Sequence, residues 1–87
     1  MFMCNNFRKA LGKSLKKIRT EKGLTQESVY FESGISRSHI AMIEVGKRDI
    51  SVSAQFKISR ALGVRFGAIF EFDDIDKFKF DVEELYK

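Results

Sequence analysis

The hydrophobic positions near the start of the chain recur at helical spacing. Four residues carry this pattern: Phe7, Leu11, Leu15 and Ile18. Their intervals of four, four and three place them on one face of a helix, with most of the neighbouring lysines on the other faces. Gly23 follows the periodic stretch and ends this first predicted helix.

Two short helices are predicted next, joined by a turn. Thr25 is a candidate N-cap for a helix from Gln26 to about Glu32, because its hydroxyl can accept a hydrogen bond from the first-turn N–H groups. Ser36 can likewise cap a third helix from Arg37 to about Val45. Gly34 lies between them and favours the left-handed conformation of a tight turn. The predicted core of this pair is Val29, Ile35, Ile40 and Ile43.

The rest of the body predicts two further helices. Ser51 can cap the fourth, and Gly63 ends it. The residues expected to supply its core contacts are Val52, Phe56, Ile58 and Leu62. A short fifth helix is expected from Phe66 to Phe70. The sequence therefore predicts an all-α fold of five helices in residues 7–72, preceded by an N-terminal arm (1–6) and followed by a C-terminal extension (73–87).

Composition narrows the class of protein. With 87 residues, 44% of them hydrophobic and nine Phe, the chain can bury one core but lies near the lower size limit, so a second subunit is expected. The single cysteine, Cys4, excludes a disulfide framework and fits a reducing cytoplasm. The sequence has no signal-peptide pattern and no run of 18 apolar residues, so we expect a soluble, cytoplasmic protein with no membrane partner.

Charge is divided unevenly along the chain. Residues 1–72 contain 13 Lys and Arg against 6 Asp and Glu, whereas residues 73–87 contain 3 Lys against 6 acidic residues. A basic body suits a polyanion such as nucleic acid, although charge alone fits a solvated surface equally well.

The acidic extension contains an apolar pattern of its own. Phe78, Phe80 and Val82 alternate with polar residues as in a short strand, while Asp81 could instead cap a final turn that contains Leu85. In either case we expect these four apolar side chains to pack on the body or on a second subunit. Homodimerisation is the favoured use.

Catalytic and metal chemistry find little support. The only histidine is His39, and Asp73, Asp74 and Asp76 lack the glycine and the terminal glutamate of a calcium loop. No phosphate loop or catalytic triad can be assembled from these residues. We expect no enzyme activity, no metal and no cofactor.

Four motifs in register identify a family. Gly23-Leu24-Thr25-Gln26-Glu27, Ser33-Gly34-Ile35-Ser36, Ile43-Glu44-Val45-Gly46-Lys47-Arg48 and Ala61-Leu62-Gly63-Val64 occur in this order and spacing. Together they resemble the Cro and phage-repressor helix-turn-helix transcriptional regulators over about residues 7–72. The resemblance implies a compact lambda-repressor-like domain that binds double-stranded DNA.

The resemblance also implies roles for particular residues. The third helix would enter the major groove, with base contacts from Arg37, Ser38, His39, Ala41 and Met42. Arg37 is the strongest candidate, because a guanidinium can bond guanine O6 and N7 together; a phosphate contact is its alternative. Met42 and Ala41 could meet a thymine methyl group. Backbone contacts would come from Gln26, Ser36, Lys47 and Arg48. Arg19 and Glu44 resemble a structural ion pair.

Two positions depart from the family pattern. Tyr30 stands where a small residue is usual, so either the helix packing widens or the ring turns to solvent and Phe31 takes the core role. Arg65 stands where a serine normally caps the fifth helix. That helix would therefore depend on packing by Phe66, Ile69 and Phe70.

These features predict a homodimeric transcriptional regulator acting on a partly palindromic operator. Phage repressors and the controller proteins of restriction-modification systems are both compatible, and Ser36-Arg37-Ser38 has counterparts in the latter. The alternative is an antitoxin-type protein that binds a partner protein through its extension and DNA only for autoregulation. The residues expected at the dimer interface are Phe66, Ile69, Phe70, Phe78, Phe80, Val82 and Leu85.

Overall fold

Every regular element that the structure describes is a helix. The structure is a computed structural model that describes residues 5–71 of the chain. Its elements are α1 (Asn5–Glu21), α2 (Gln26–Ser33), α3 (Arg37–Glu44), α4 (Val52–Leu62) and a 3₁₀ helix (Phe66–Phe70). The all-helical class is confirmed. The count of five α-helices is not, because the fifth element is a single 3₁₀ segment.

The helix ends follow the local chemistry of the sequence. The Ser51 hydroxyl accepts a hydrogen bond from the Ala54 N–H at 3.0 Å and so caps α4, as predicted. Gly63 ends α4 in the left-handed conformation, with φ of 71°. Arg65 makes no side-chain cap, which agrees with the short 3₁₀ helix that follows it. Ser14 of α1 fixes that segment by donating to the Ile69 carbonyl at 2.9 Å.

The core lies where α1, α3 and α4 meet α2 and the 3₁₀ helix. α2 packs on α3 and α4, α1 packs on α3 and the 3₁₀ helix, and α4 also packs on the 3₁₀ helix. The buried apolar residues are Leu11, Leu15, Val29, Ile40, Ile43, Ile50, Ile58, Leu62 and Ile69. Phe7, Ile18 and Ile35 pack partly buried against this set.

Two predicted core residues of α4 are on the surface instead. Val52 is 72% exposed and Phe56 is 53% exposed. The buried stripe of α4 runs through 55, 58, 59 and 62 and includes Gln55 and Ser59, so two polar side chains concealed its register. Gln55 is satisfied because its amide donates to the Ile50 carbonyl at 3.1 Å. Ile50, from the loop before α4, supplies core volume that the pattern did not indicate.

The tyrosine that departs from the family pattern turns outward. Tyr30 is 40% exposed, and its ring lies 5.2 Å from the ring of Phe31, centroid to centroid. The core role expected for Phe31 is wrong, since this side chain is 73% exposed. Val29 fills the core at this level of α2, so the two aromatic rings stack on each other outside it.

Candidate nucleic-acid interface

A turn of fixed geometry joins α2 to α3. At the start of α2, the Thr25 hydroxyl accepts from the Ser28 N–H and the Ser28 hydroxyl accepts from the Thr25 N–H, both at 3.0 Å. Gly34 ends α2 with φ of 75°. Ser36 then caps α3 by accepting from the His39 N–H at 3.2 Å. These local bonds set the direction in which α3 leaves the turn.

α3 has one buried side and one exposed side. Ile40, Ile43 and Glu44 are buried. The other side carries the residues for which the sequence predicts base contacts: Arg37, Ser38 and Met42 are exposed, and His39 and Ala41 are half-buried. The structure thus places these five side chains together on one short helix, at or near its surface.

Val45 belongs to the same exposed side but escaped the sequence prediction. It follows Glu44 at the end of α3 and is 55% exposed. The signal was present in the sequence, since Val45 lies seven residues after Ser38 and four after Ala41. We had treated it only as the end of the helix.

A buried polar network ties α3 to α1 and α2. Arg19 of α1 bonds both carboxylate oxygens of Glu44, with Nε to Oε2 at 2.7 Å and Nη2 to Oε1 at 3.0 Å. Its third bond runs from Nη1 to the Leu24 carbonyl at 2.8 Å. Gln26 completes the network, because its amide donates to Glu44 Oε1 at 2.9 Å. The Glu44 carboxylate is therefore paired and hydrogen-bonded, as a buried charge must be.

This network also bears on the DNA-backbone contact expected of Gln26. One N–H of its amide group is used by Glu44, which leaves the second N–H and the carbonyl oxygen for a further partner. Gln26 is the first residue of α2, where backbone N–H groups and the helix dipole favour an anion. Glu44 thereby holds the Gln26 side chain at a position suited to a phosphate.

The loop after α3 is fastened to the first half of α1. Arg8 donates from Nε to the Gly46 carbonyl at 2.8 Å and from Nη1 to Asp49 Oδ1 at 3.2 Å. Lys47 and Arg48 lie exposed between these two anchor points, as their predicted backbone contacts require. The sequence gave no indication of this arginine clasp, because its partners are about 40 positions away along the chain.

α1 and α3 also meet through their backbones. A Cβ added at Gly12 would overlap the carbonyl oxygen of Ile43 and come within 2.9 Å of the carbonyl oxygen of Glu44. Only glycine permits this approach, so the end of α3 rests directly on α1. A glycine inside a periodic helical pattern was the available signal.

The predicted dimer surface is present in part. Phe66 and Phe70 are half-buried, and with the exposed Phe56 they form a continuous set of rings, which we call the aromatic surface. Ring centroids are 6.2 Å apart for Phe56 and Phe66, and 6.0 Å apart for Phe66 and Phe70. Ile69 must be removed from the predicted interface, because it is fully buried in the chain's own core and supports this surface from beneath. Phe78, Phe80, Val82 and Leu85 lie outside the described residues.

Two searches of residues 5–71 found no site of another kind. No group of three or more His, Cys, Asp and Glu side chains there could hold a metal ion. None of the described helices is long and apolar enough to cross a membrane.

Known proteins share this sequence and fold. The helix-turn-helix family model matches residues 15–69. Control protein C.BamHI of Bacillus amyloliquefaciens is 38% identical over 74 residues, which cover 84% of this chain and 91% of that protein. Control protein C.MunI of a Mycoplasma species is also 38% identical over 74 residues, covering 84% of this chain and 97% of that protein.

A solved structure resembles the fold as a whole. The restriction-modification controller protein C.AhdI of Aeromonas hydrophila superposes with a TM-score of 0.70 at 35% sequence identity. The match covers 71% of this chain and 94% of that protein. The exposed side of α3 and the network beneath it therefore lie within a fold that controller proteins also use.

Proposed function

The chain belongs to the helix-turn-helix family of DNA-binding transcriptional regulators, and we propose that it acts as a homodimer on a partly palindromic operator. The observation that carries the proposal is the exposed side of α3, which presents Arg37 and Ser38 while Glu44, on its other side, is bonded to Arg19 and Gln26. A helix held so firmly from behind can place side chains in the major groove with little loss of conformational entropy on binding.

Backbone contacts surround this helix in the proposed complex. Gln26 stands at the start of α2 and Ser36 at the start of α3, while Lys47 and Arg48 follow its end. Amide and hydroxyl donors at helix N-termini together with exposed cations are the groups that usually bond phosphates. These contacts fix the register of α3, and Arg37 and Ser38 then read base edges.

The aromatic surface supports a dimer. Phe56, Phe66 and Phe70 are partly solvent-exposed in one chain, and an 87-residue protein gains stability by covering such a surface with a second copy. A twofold dimer places two copies of α3 in successive major grooves, about 34–36 Å apart. The operator then has two half-sites related by the same symmetry.

We further propose a controller-type role for this regulator. Its support is the similarity to C.BamHI, C.MunI and C.AhdI, of which the first two are named control proteins and the third a restriction-modification controller. A reporter gene placed behind the selected operator tests this role, since co-expression of the protein must change its transcription.

The test of DNA recognition begins with selection of bound sequences from random duplex DNA. We expect enrichment of a symmetric site whose half-sites are one helical turn apart. Affinity for that site should fall steeply with salt, with a log–log slope that reflects on the order of 6 to 10 phosphate contacts per dimer. The variant Lys57→Ala, which removes an exposed lysine of α4 outside the proposed interface, is the control and should keep the slope of the wild type. A flat salt dependence together with no enriched site would refute the proposed function.

A further inference from the structure

An apolar strip runs along the outward side of α3. Ser38, Ala41, Met42 and Val45 have the spacing i, i+3, i+4, i+7, which places them on one helical face. Three of the four are apolar. Met42 is 37% exposed and Val45 is 55% exposed, while Ala41 is half-buried between them and the helix axis.

The geometry of the helix end fixes the direction of Val45. Its N–H still bonds the Ala41 carbonyl at 3.2 Å, as in a continuing α-helix. The chain turns only at the next residue, Gly46, with φ of 76°, and the Lys47 N–H closes the turn on the Met42 carbonyl at 2.9 Å. The face that begins at Ser38 therefore continues through Val45 without a break.

Cations stand at both ends of this strip. Arg37 is exposed at the start of α3, and Lys47 and Arg48 are exposed just after its end. Isolated exposed apolar side chains are common on protein surfaces and need no explanation. Here, however, the apolar side chains occupy the centre of a basic face, and a partner for that face has to be anionic around an apolar feature. Duplex DNA satisfies both requirements, because the 5-methyl group of thymine is the apolar group that the major groove displays between the phosphate backbones.

We infer that Ala41, Met42 and Val45 determine specificity by packing against thymine 5-methyl groups, so that each operator half-site carries thymine at the positions facing this strip. The inference rests on the proposed function and extends it, because it names the base that the second half of α3 reads. Val45 is the decisive member, since it is the most exposed of the three and lies farthest from Arg37 along the helix.

Uracil substitution tests the inference with a change of one methyl group per position. Each thymine of a half-site in the selected operator is replaced in turn by uracil, which keeps every hydrogen-bonding group of the base pair. We expect one or two positions per half-site at which the full-length wild-type protein binds about fourfold more weakly, the loss that corresponds to one buried methyl group. The remaining thymines should tolerate the change.

Variants show whether the strip is responsible. In Val45→Ala and Met42→Ala, the uracil penalty at the matching position should shrink towards onefold, while the thymine-containing operator itself binds more weakly. Ser38→Ala lies on the same face and should keep the full uracil penalty. Unfolding curves of the two strip variants should overlay that of the wild type, because both side chains lie on the surface.

The outcomes separate the inference from the function on which it rests. If a symmetric site is selected and binding is strongly salt-dependent, yet uracil costs nothing at any position, the inference is overturned and the regulator stands. A uracil penalty that survives unchanged in both Val45→Ala and Met42→Ala also overturns it, because the methyl groups are then sensed elsewhere or through DNA stiffness. If no duplex is selected, the proposed function itself fails.

Discussion

Arg19 and Glu44 are 25 positions apart and are joined by two hydrogen bonds in the interior of the helical domain. Their side chains are only 12% and 5% exposed, respectively. The pair connects α1 to the last residue of α3, and through Glu44 it also holds the Gln26 amide. A single carboxylate therefore links the stability of the fold to the placement of a proposed phosphate contact.

Removal of that carboxylate should be costly. Glu44→Ala leaves the Arg19 guanidinium buried without its partner, and we expect the free energy of unfolding to fall by about 3–5 kcal/mol. Urea denaturation measures this loss. Glu32→Ala, which removes an exposed glutamate of α2, is the matched control and should change stability by no more than about 0.5 kcal/mol. Equal effects in the two variants would mean that the network does not stabilise the domain.

The backbone contact at Gly12 leads to a prediction opposite to helix propensity. Alanine in the middle of a helix is favoured over glycine by about 1 kcal/mol. At Gly12 the new methyl group would collide with the carbonyl oxygen of Ile43, so we expect Gly12→Ala to lower stability by about 1–3 kcal/mol.

Gly67 provides the control for this prediction. A Cβ added there meets nothing within 4 Å, so Gly67→Ala should leave the melting temperature unchanged or raise it. If Gly12→Ala melted at or above the temperature of the wild type, α1 and α3 could not be in the contact described above.

Arg37 and Lys47 should respond differently to alanine substitution. Arg37→Ala is expected to cost about 1–3 kcal/mol of binding to the selected operator and to relax discrimination at one base pair per half-site. Lys47→Ala should weaken operator and random duplex by about the same factor and lower the salt slope by about one per contact. Fluorescence anisotropy titrations on both duplexes measure the contrast. An equal loss on both duplexes for Arg37→Ala would identify this residue as a phosphate anchor.

Charge introduced into the aromatic surface should separate the subunits. We expect Phe56→Lys to weaken dimerisation and operator binding together, because two half-sites bind tightly only when the subunits are linked. Sedimentation velocity measures the first effect. Phe31→Lys is the control, since Phe31 is a more exposed aromatic residue that lies on α2. Dissociation by Phe31→Lys in place of Phe56→Lys would move the dimer interface to α2.

Truncation after Phe72 tests the extension separately. The apolar residues at 78, 80, 82 and 85 are proposed to bury surface between subunits, so their removal should lower dimer stability while the helical domain stays folded. Circular dichroism and sedimentation, taken together, distinguish the two effects. An unchanged dimer would assign the extension to another task, and co-purification of a second protein through residues 73–87 would then favour the antitoxin-type alternative.

The sequence predicted the helix ends much better than the buried faces. Thr25, Ser36 and Ser51 act as caps within three residues of themselves, so their chemistry is local and can be read from the sequence. Burial depends on which neighbouring helix covers a face. Phe56 is an apolar residue at a plausible spacing, yet α4 turns a stripe containing Gln55 and Ser59 towards the core instead.

The candidate site shows the same division. The exposed side of α3 follows from helical spacing, so Arg37 and Ser38 could be placed from the sequence alone. The clasp from Arg8 to Gly46 and Asp49, and the bond from Gln26 to Glu44, join residues that only the folded chain brings together. Val45 was missed for another reason, because the end of the helix was assumed to be the end of its face.

The division of α3 into two sides has an evolutionary consequence. The side chains proposed to read DNA are not the ones that hold the helix in place, so substitutions at 37, 38, 41, 42 and 45 can accumulate with little effect on folding. A duplicated copy of this regulator can therefore acquire a different operator through a few surface changes while Arg19, Gln26 and Glu44 stay as they are. Paralogues in one cell can diverge in this way until neither occupies the other's sites.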